Sequence, residues 1–278
     1  MNVRSRSLPR GWYPDSASEC NIEIDNFLQG FIPPDGSWVG GVIPHAGWYF
    51  SGQLAARVMS VLSAGRDPDR VVIYGGHLSG GADPIVYTED AWETPMGGQS
   101  MDSEAARELI AKGHATEPQR GFEDNTVEVQ LPMIRRFFNK APVIAFHSPS
   151  SEKAIRLAAA VDDLLKSRDL TAVFLGSADL THYGPNYGFI PHGIGASAVK
   201  WVKNENDGSL IRKAVDMDTQ GLLEDARAKH NTCSAGPIAS VMESAARNGV
   251  KAGRLLEYYT SYDIMPGSSF VGYAGIIF

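Results

Sequence analysis

The chain of 278 residues is 43% hydrophobic, enough for a large core in one domain spanning 1–278, and its formal net charge of −7 excludes the positive excess with which nucleic-acid binders meet phosphate. No stretch approaches the ~20 consecutive apolar residues of a membrane helix, and the opening MNVRSRSLPRGWYPDSASEC lacks the apolar centre of a secretory signal. Cys20 and Cys233, the only cysteines, lie too far apart in sequence to suggest a disulfide framework, so a reducing cytoplasm is the expected setting.

Taken in chain order, short apolar runs alternate with helical patterns. Residues 39–43 read as a buried strand and run into His45. A helix follows over 51–64, with Leu54, Ala55, Val58, Val61 and Leu62 on one face and Gly65 as its stop. Residues 71–74 form a second strand running into His77, and 103–112 a further helix. The segment FEDNTVEVQLP begins like a capped helix at Asp124. Residues 142–146 are a third strand, ending at His147, and 151–168 a helix with Ile155, Ala158, Val161, Leu164 and Leu165 on one side. The fourth strand, 171–175, leads through Asp179 to His182. Cys233 precedes a helix over 236–248, and two β-rich runs, 254–262 and 270–278, close the chain as expected antiparallel edge strands.

Strands separated by helices predict an α/β fold with a mixed, mostly parallel central sheet and helices on both faces. In such a sheet ligands bind beyond the carboxyl ends of the strands. His45, His77 and the Asp179–His182 pair all sit at such ends, so three imidazoles and a carboxylate are expected in one cleft. One histidine in a strand-to-helix loop is ordinarily a solvated or hydrogen-bonded side chain; three at equivalent positions weaken that explanation. Imidazole with carboxylate or thiolate is the usual donor set of iron, copper or zinc. Cys233 stands among polar residues at a helix start, where the dipole favours thiolate, although a free cysteine is more often an inert small hydrophobe. His230 is a weaker local substitute, His147 a candidate neighbour of the cleft, and His114 and His192 read as loop residues.

Six motifs then identify the chain as resembling the Memo family: PHAGWYFSG at His45, GGHLSGG at His77, DAWETPMGG, EVQLP, SADLTHYGP at His182 and NTCSAGPI at Cys233. The opening GWYPDS and closing SFVGYAGIIF extend the match from about the tenth residue to the last. Bacterial and archaeal members are often called AmmeMemoRadiSam system protein B. The resemblance implies a fold like that of the class III extradiol dioxygenases, non-haem iron enzymes that open catechol-type rings. It places His45, His77 and Cys233 at the metal-ligand positions, the last where the dioxygenases carry a glutamate. His182 falls at the acid/base histidine, with Asp179 orienting it. Trp48, Asn125, Glu128 and Tyr183 are the further pocket candidates, with packing the competing role for both aromatics.

The chain departs from the family pattern at Asp124-Asn125-Thr126, where many members have Glu-His-Ser, and at Gly76, where Asn is usual. The expected function is an Fe(II)-dependent, dioxygenase-like oxidoreductase acting on a small organic, aromatic-type substrate, with copper or zinc as other metals a thiolate accepts. The alternatives are a non-catalytic metal- or peptide-binding protein, as the signalling roles of animal members suggest, and a zinc-type hydrolase. Neither nucleic acid nor membrane is an expected partner.

Overall fold

The computed structural model describes residues 2–119 and 121–278. Its strands are β1 (Val3–Arg4), β2 (Gly40–Ile43), β3 (Arg70–Gly75), β4 (Ile85–Val86), β5 (Ala91–Trp92), β6 (Gln99–Ser100), β7 (Val143–His147), β8 (Ala172–Ser177), β9 (His182–Tyr183), β10 (Arg254–Thr260) and β11 (Phe270–Ile277). The main sheet runs β10-β11-β2-β8-β3-β7-β4, with β9 paired to β11; β1, β5 and β6 form a small second sheet.

The four strands read from apolar runs are the centre of this sheet. They are parallel to one another, with Val42 opposite Gly176, Ile73 opposite Leu175 and Tyr74 opposite Phe146. Successive side chains point to opposite faces, as the two-residue period requires. Val42, Val72, Tyr74, Ile144, Phe146 and Phe174 join the core under helices Glu152–Ser167 and Ala235–Arg247. Ile43, Val71, Ile73, Val143, Ala145, Val173 and Leu175 face the helices Trp48–Ser63, Ala17–Leu28 and Leu131–Phe137. Both faces are therefore covered, and near-continuous apolar runs are what such strands need.

The sheet is mixed but not mostly parallel. Three pairings in it are parallel, β2 with β8, β8 with β3 and β3 with β7; four are antiparallel, β11 with β2, β10 and β9, and β4 with β7. The cause is β11, which is not the edge strand expected from its position at the end of the chain. It lies between β10 and β2 with all eight residues buried, and of the two C-terminal strands β10 alone is at the edge. The short helix Ser261–Ile264, started by a capping box of Thr260 and Asp263, occupies part of the link between them. The result is a single-domain α/β fold.

Two close approaches fix the floor of the cleft. A Cβ on Gly176 would lie 2.7 Å from Pro237 O and Val241 Cγ1, so only glycine lets the helix Ala235–Arg247 rest directly on β8. One at Gly236 would collide with the backbone oxygens of Ser148 and Pro149, beyond the end of β7. Together these contacts hold the start of that helix, and Cys233 before it, over the carboxyl ends of the parallel strands. No helix among the described residues is long and apolar enough to cross a membrane.

Candidate metal centre

His45 lies two residues beyond β2 and His77 two beyond β3, on either side of β8 in the sheet. Their ring centroids are 5.1 Å apart and the rings nearly perpendicular. Cys233 Sγ lies 3.3 Å from His45 Nε2. One donor atom from each of His45, His77 and Cys233 falls within 4.8 Å of the others. Metal bonds to such donors are about 2.0–2.3 Å long, so small inward movements would bring all three onto one ion.

The tautomers follow from the partners. His77 Nδ1–H donates to Asp124 Oδ2 at 2.9 Å, so once the ring is neutral Nε2 is the nitrogen it offers to a metal. Ser177 Oγ gives its single proton to Thr126 O at 2.7 Å, so at 3.3 Å from His45 Nδ1 it accepts; His45 thus carries its proton on Nδ1 and offers Nε2. A carboxylate or hydroxyl behind a ligating histidine is the arrangement that fixes ring orientation at metal sites. Asp124 also caps the turn Asn125–Glu128 by accepting from Thr126 N, and the Thr126 hydroxyl oxygen accepts the backbone N–H of Gly76 at 2.7 Å.

Asp179 ties the segments together. Its Oδ1 accepts the backbone N–H of His45 at 2.7 Å, and its backbone oxygen accepts from the Thr232 hydroxyl and from Cys233 N. Oδ2 lies 3.9 Å from Nε2 of both His45 and His182. His182 Nε2 is buried and has no hydrogen-bond partner among the described residues. His182 is therefore beside the three-donor cluster without belonging to it.

Charge is shared accordingly. Burial works against a charged His45, but Asp179 and the Cys233 thiolate outweigh it and raise its pKa to about 9. Asp124, followed by Cys233, raises His77 to about 10. Burial opposes ionisation of Cys233, yet the surrounding imidazoles, His45 first, hold it well below the usual thiol range. Burial pushes Asp179 up despite its histidines. His182 is raised, its burial overcome by Cys233 and Asp179.

The cluster opens into a cavity of about 440 Å³, walled by Trp12, Phe50, Asn125, Asn186, Tyr187 and Tyr273. Among the described residues its lining contains no lysine or arginine. A larger groove of about 560 Å³ around Leu109, His114 and Leu164 lies elsewhere on the surface.

The structure thus brings His45, His77, His182, Cys233, Asp179 and Asn125 together; Asn125 also donates to His45 O at 3.0 Å. It places Trp48, Glu128 and Tyr183 outside this cavity's lining. Trp48 is buried against Phe27 and Tyr13, with its indole N–H on Val129 O. Glu128 accepts from Ser7 N, Leu8 N and the Tyr13 hydroxyl, anchoring the N-terminal segment. Tyr183 stacks on Phe270 at 5.1 Å and donates to Gly193 O. His147 is fully buried behind Asp124, 3.1 Å from the Tyr87 hydroxyl. His230 borders a neighbouring cavity that Cys233 also lines, and His192 stacks on Trp201. Sequence reading assigned Asp124 to capping alone and did not single out Ser177 or Tyr187. The signal for Asp124 was its place in the motif that departs from Glu-His-Ser.

Residues 4–277 match the family described as Memo-like protein. The chain is similar to a MEMO1 family protein of Thermococcus onnurineus, 32% identical over 250 residues and covering 86% of each chain. It is 31% identical to one from Thermococcus kodakarensis over 289 residues, 99% of each, and 27% identical to one from Methanosarcina acetivorans, 100% of this chain and 99% of that one. Among solved structures, an uncharacterized protein from Escherichia coli K12 shares the fold with a TM-score of 0.52 and 12% identity, over 86% of this chain and 98% of that one.

Proposed function

Because the chain belongs to the Memo-like family, we propose that it is a metal-dependent oxidoreductase of the class III extradiol dioxygenase type, acting on a small organic substrate. One observation carries the reading: three donors lie within 4.8 Å of one another, two of them, His45 and His77, in the wall of a cavity, beside a half-buried His182 whose buried Nε2 has no hydrogen-bond partner among the described residues. A structural metal site would be closed by a fourth ligand, whereas a catalytic one keeps an open position and a proton-handling group next to it.

In this reading His45, His77 and Cys233 hold ferrous iron, which when bound supplies the redox chemistry. Asp124 and Ser177 keep the two Nε2 atoms aimed at the ion. His182 takes a proton from a substrate hydroxyl and returns it to the product, with Asp179 stabilising the imidazolium. The aromatic walls and the amides of Asn125 and Asn186 suit a flat molecule with hydroxyl or amino groups. With no lysine or arginine among the described residues of the lining, an anionic substituent would meet only the histidines and the metal as counter-charge from those residues.

The thiolate favours a second reading, a zinc centre activating water for hydrolysis. Anaerobic purification, loading with Fe(II) and measurement of oxygen uptake with catechols and aminophenols tests both. Uptake with ring opening is expected. Bound iron without uptake would leave a non-catalytic metal protein, and hydrolysis with zinc alone would favour the second reading.

A further inference from the structure

The cleft has two chambers. The 440 Å³ cavity contains His45 and His77 in its wall, while a second cavity of about 420 Å³ contains Cys233, Thr232, His230 and Phe189. Among the described residues only His182 and Tyr187 line both. Their rings pack with centroids 4.8 Å apart, tilted by 59°. His182 is fixed in β9, so the Tyr187 ring is the part of the partition that side-chain chemistry can vary.

Tyr187 ends a tight turn, Pro185–Tyr187, between Gly184 and Gly188, both at positive φ. The turn is tied down at several points. Gly184 N donates to Phe189 O at 2.9 Å, Tyr187 N to Gly184 O at 3.0 Å and Asn186 N to Ser269 Oγ at 3.1 Å. The backbone beneath the ring is thereby fixed, and the ring itself packs on His182, with the residue 46% exposed.

We propose that Tyr187 is a specificity-determining residue, whose ring confines a ligand to one chamber and so limits the size of molecule that can reach the three-donor cluster. The proposal rests on the reading that this cleft receives the substrate. Removing the ring would merge the two chambers into one trough and admit molecules too long for either.

The thiol of Cys233 reports on this without any turnover. Cys20 is fully buried with its thiol pushed up to about 12, so alkylation reads Cys233. The experiment compares the rates at which N-ethylmaleimide and the much bulkier N-pyrenylmaleimide label chelator-stripped wild type, Tyr187→Ala and Tyr187→Phe, with the labelled peptide identified by mass spectrometry. A change in thiolate reactivity would move both rates together, so the ratio isolates size. Tyr187→Ala is expected to raise the bulky-to-small rate ratio by about tenfold, the scale on which shaped pockets discriminate by size, and Tyr187→Phe to leave it unchanged. An unchanged ratio in Tyr187→Ala, or an equal rise in Tyr187→Phe, would overturn the proposal. Because labelling needs no activity, a protein that proves to have no oxygenase function can still pass or fail this test.

Discussion

Asp124 Oδ2 lies 2.9 Å from His77 Nδ1 and so determines which nitrogen of that ring is free. The ion pair is mutual: His77 is raised, and Asp124 is held well below the usual carboxylate range, its histidine neighbours outweighing burial. Asp124→Asn keeps an oxygen for the helix cap but removes the charge. The variant is expected to bind metal about 10–100-fold more weakly, the usual loss when the partner behind a ligating histidine is removed. Competition against a chelator of known affinity measures it; an unchanged affinity would reduce Asp124 to a cap.

His182 stands beside the donors and is not one of the three. His182→Ala is expected to retain its metal while turnover falls by about 10²–10⁴-fold. Elemental analysis together with oxygen uptake separates the two effects. Loss of metal in this variant would make His182 a ligand.

Metal uptake should release protons in a way the pKa values define. Without metal at pH 7, His45 (about 9) and His77 (about 10) are charged and Cys233 is already thiolate. Ligation needs both imidazoles neutral, so about two protons should leave per ion, both from histidine. Affinity should rise with pH as far as about 9–10 and then level off. Calorimetry in buffers of different ionisation enthalpy counts these protons; release that vanishes already at pH 8 would show ordinary histidines.

Gly76 has φ of +90°, and a Cβ there would lie 2.6 Å from Cβ and Cγ of His147. Gly76→Asn, which restores the residue usual in the family, meets a backbone conformation that asparagine tolerates but a space His147 fills. It is expected to destabilise the fold by about 1–3 kcal/mol, and by clearly less in a His147→Ala background. Denaturant titration of the four proteins gives the coupling; additive effects would mean that the two residues do not compete for this space.

Much of the site could be read from sequence because chain order and geometry coincide at strand ends. Gly40–Ile43, Arg70–Gly75 and Ala172–Ser177 are apolar runs that stop at polar residues, and adjacent parallel strands bring those residues together. Pocket walls gave no such pattern. Trp48 and Tyr183 have side chains equally suited to core and cleft, and both went to the core, where their N–H and O–H groups found backbone acceptors. Glu128 followed a helix start and was drawn to the N-terminal segment, a contact 121 residues away in sequence from Ser7 that no local pattern encodes. The interior place of β11 was hidden for a similar reason: FVGYAGII is apolar throughout, and partners on both sides become evident only when the sheet is assembled.

The donor set itself is tested most directly at Cys233, the one soft sulfur donor beside two imidazoles. The measurement is competitive metal binding, with elemental analysis, on wild type, Cys233→Ala and Cys233→Asp. Wild type should hold one ion per chain, Cys233→Ala should lose affinity substantially, and Cys233→Asp should recover binding with a preference shifted from copper and zinc toward iron and manganese, as a harder donor requires. Unchanged affinity in Cys233→Ala would contradict the three-residue centre and leave the metal, if any, to the histidines alone.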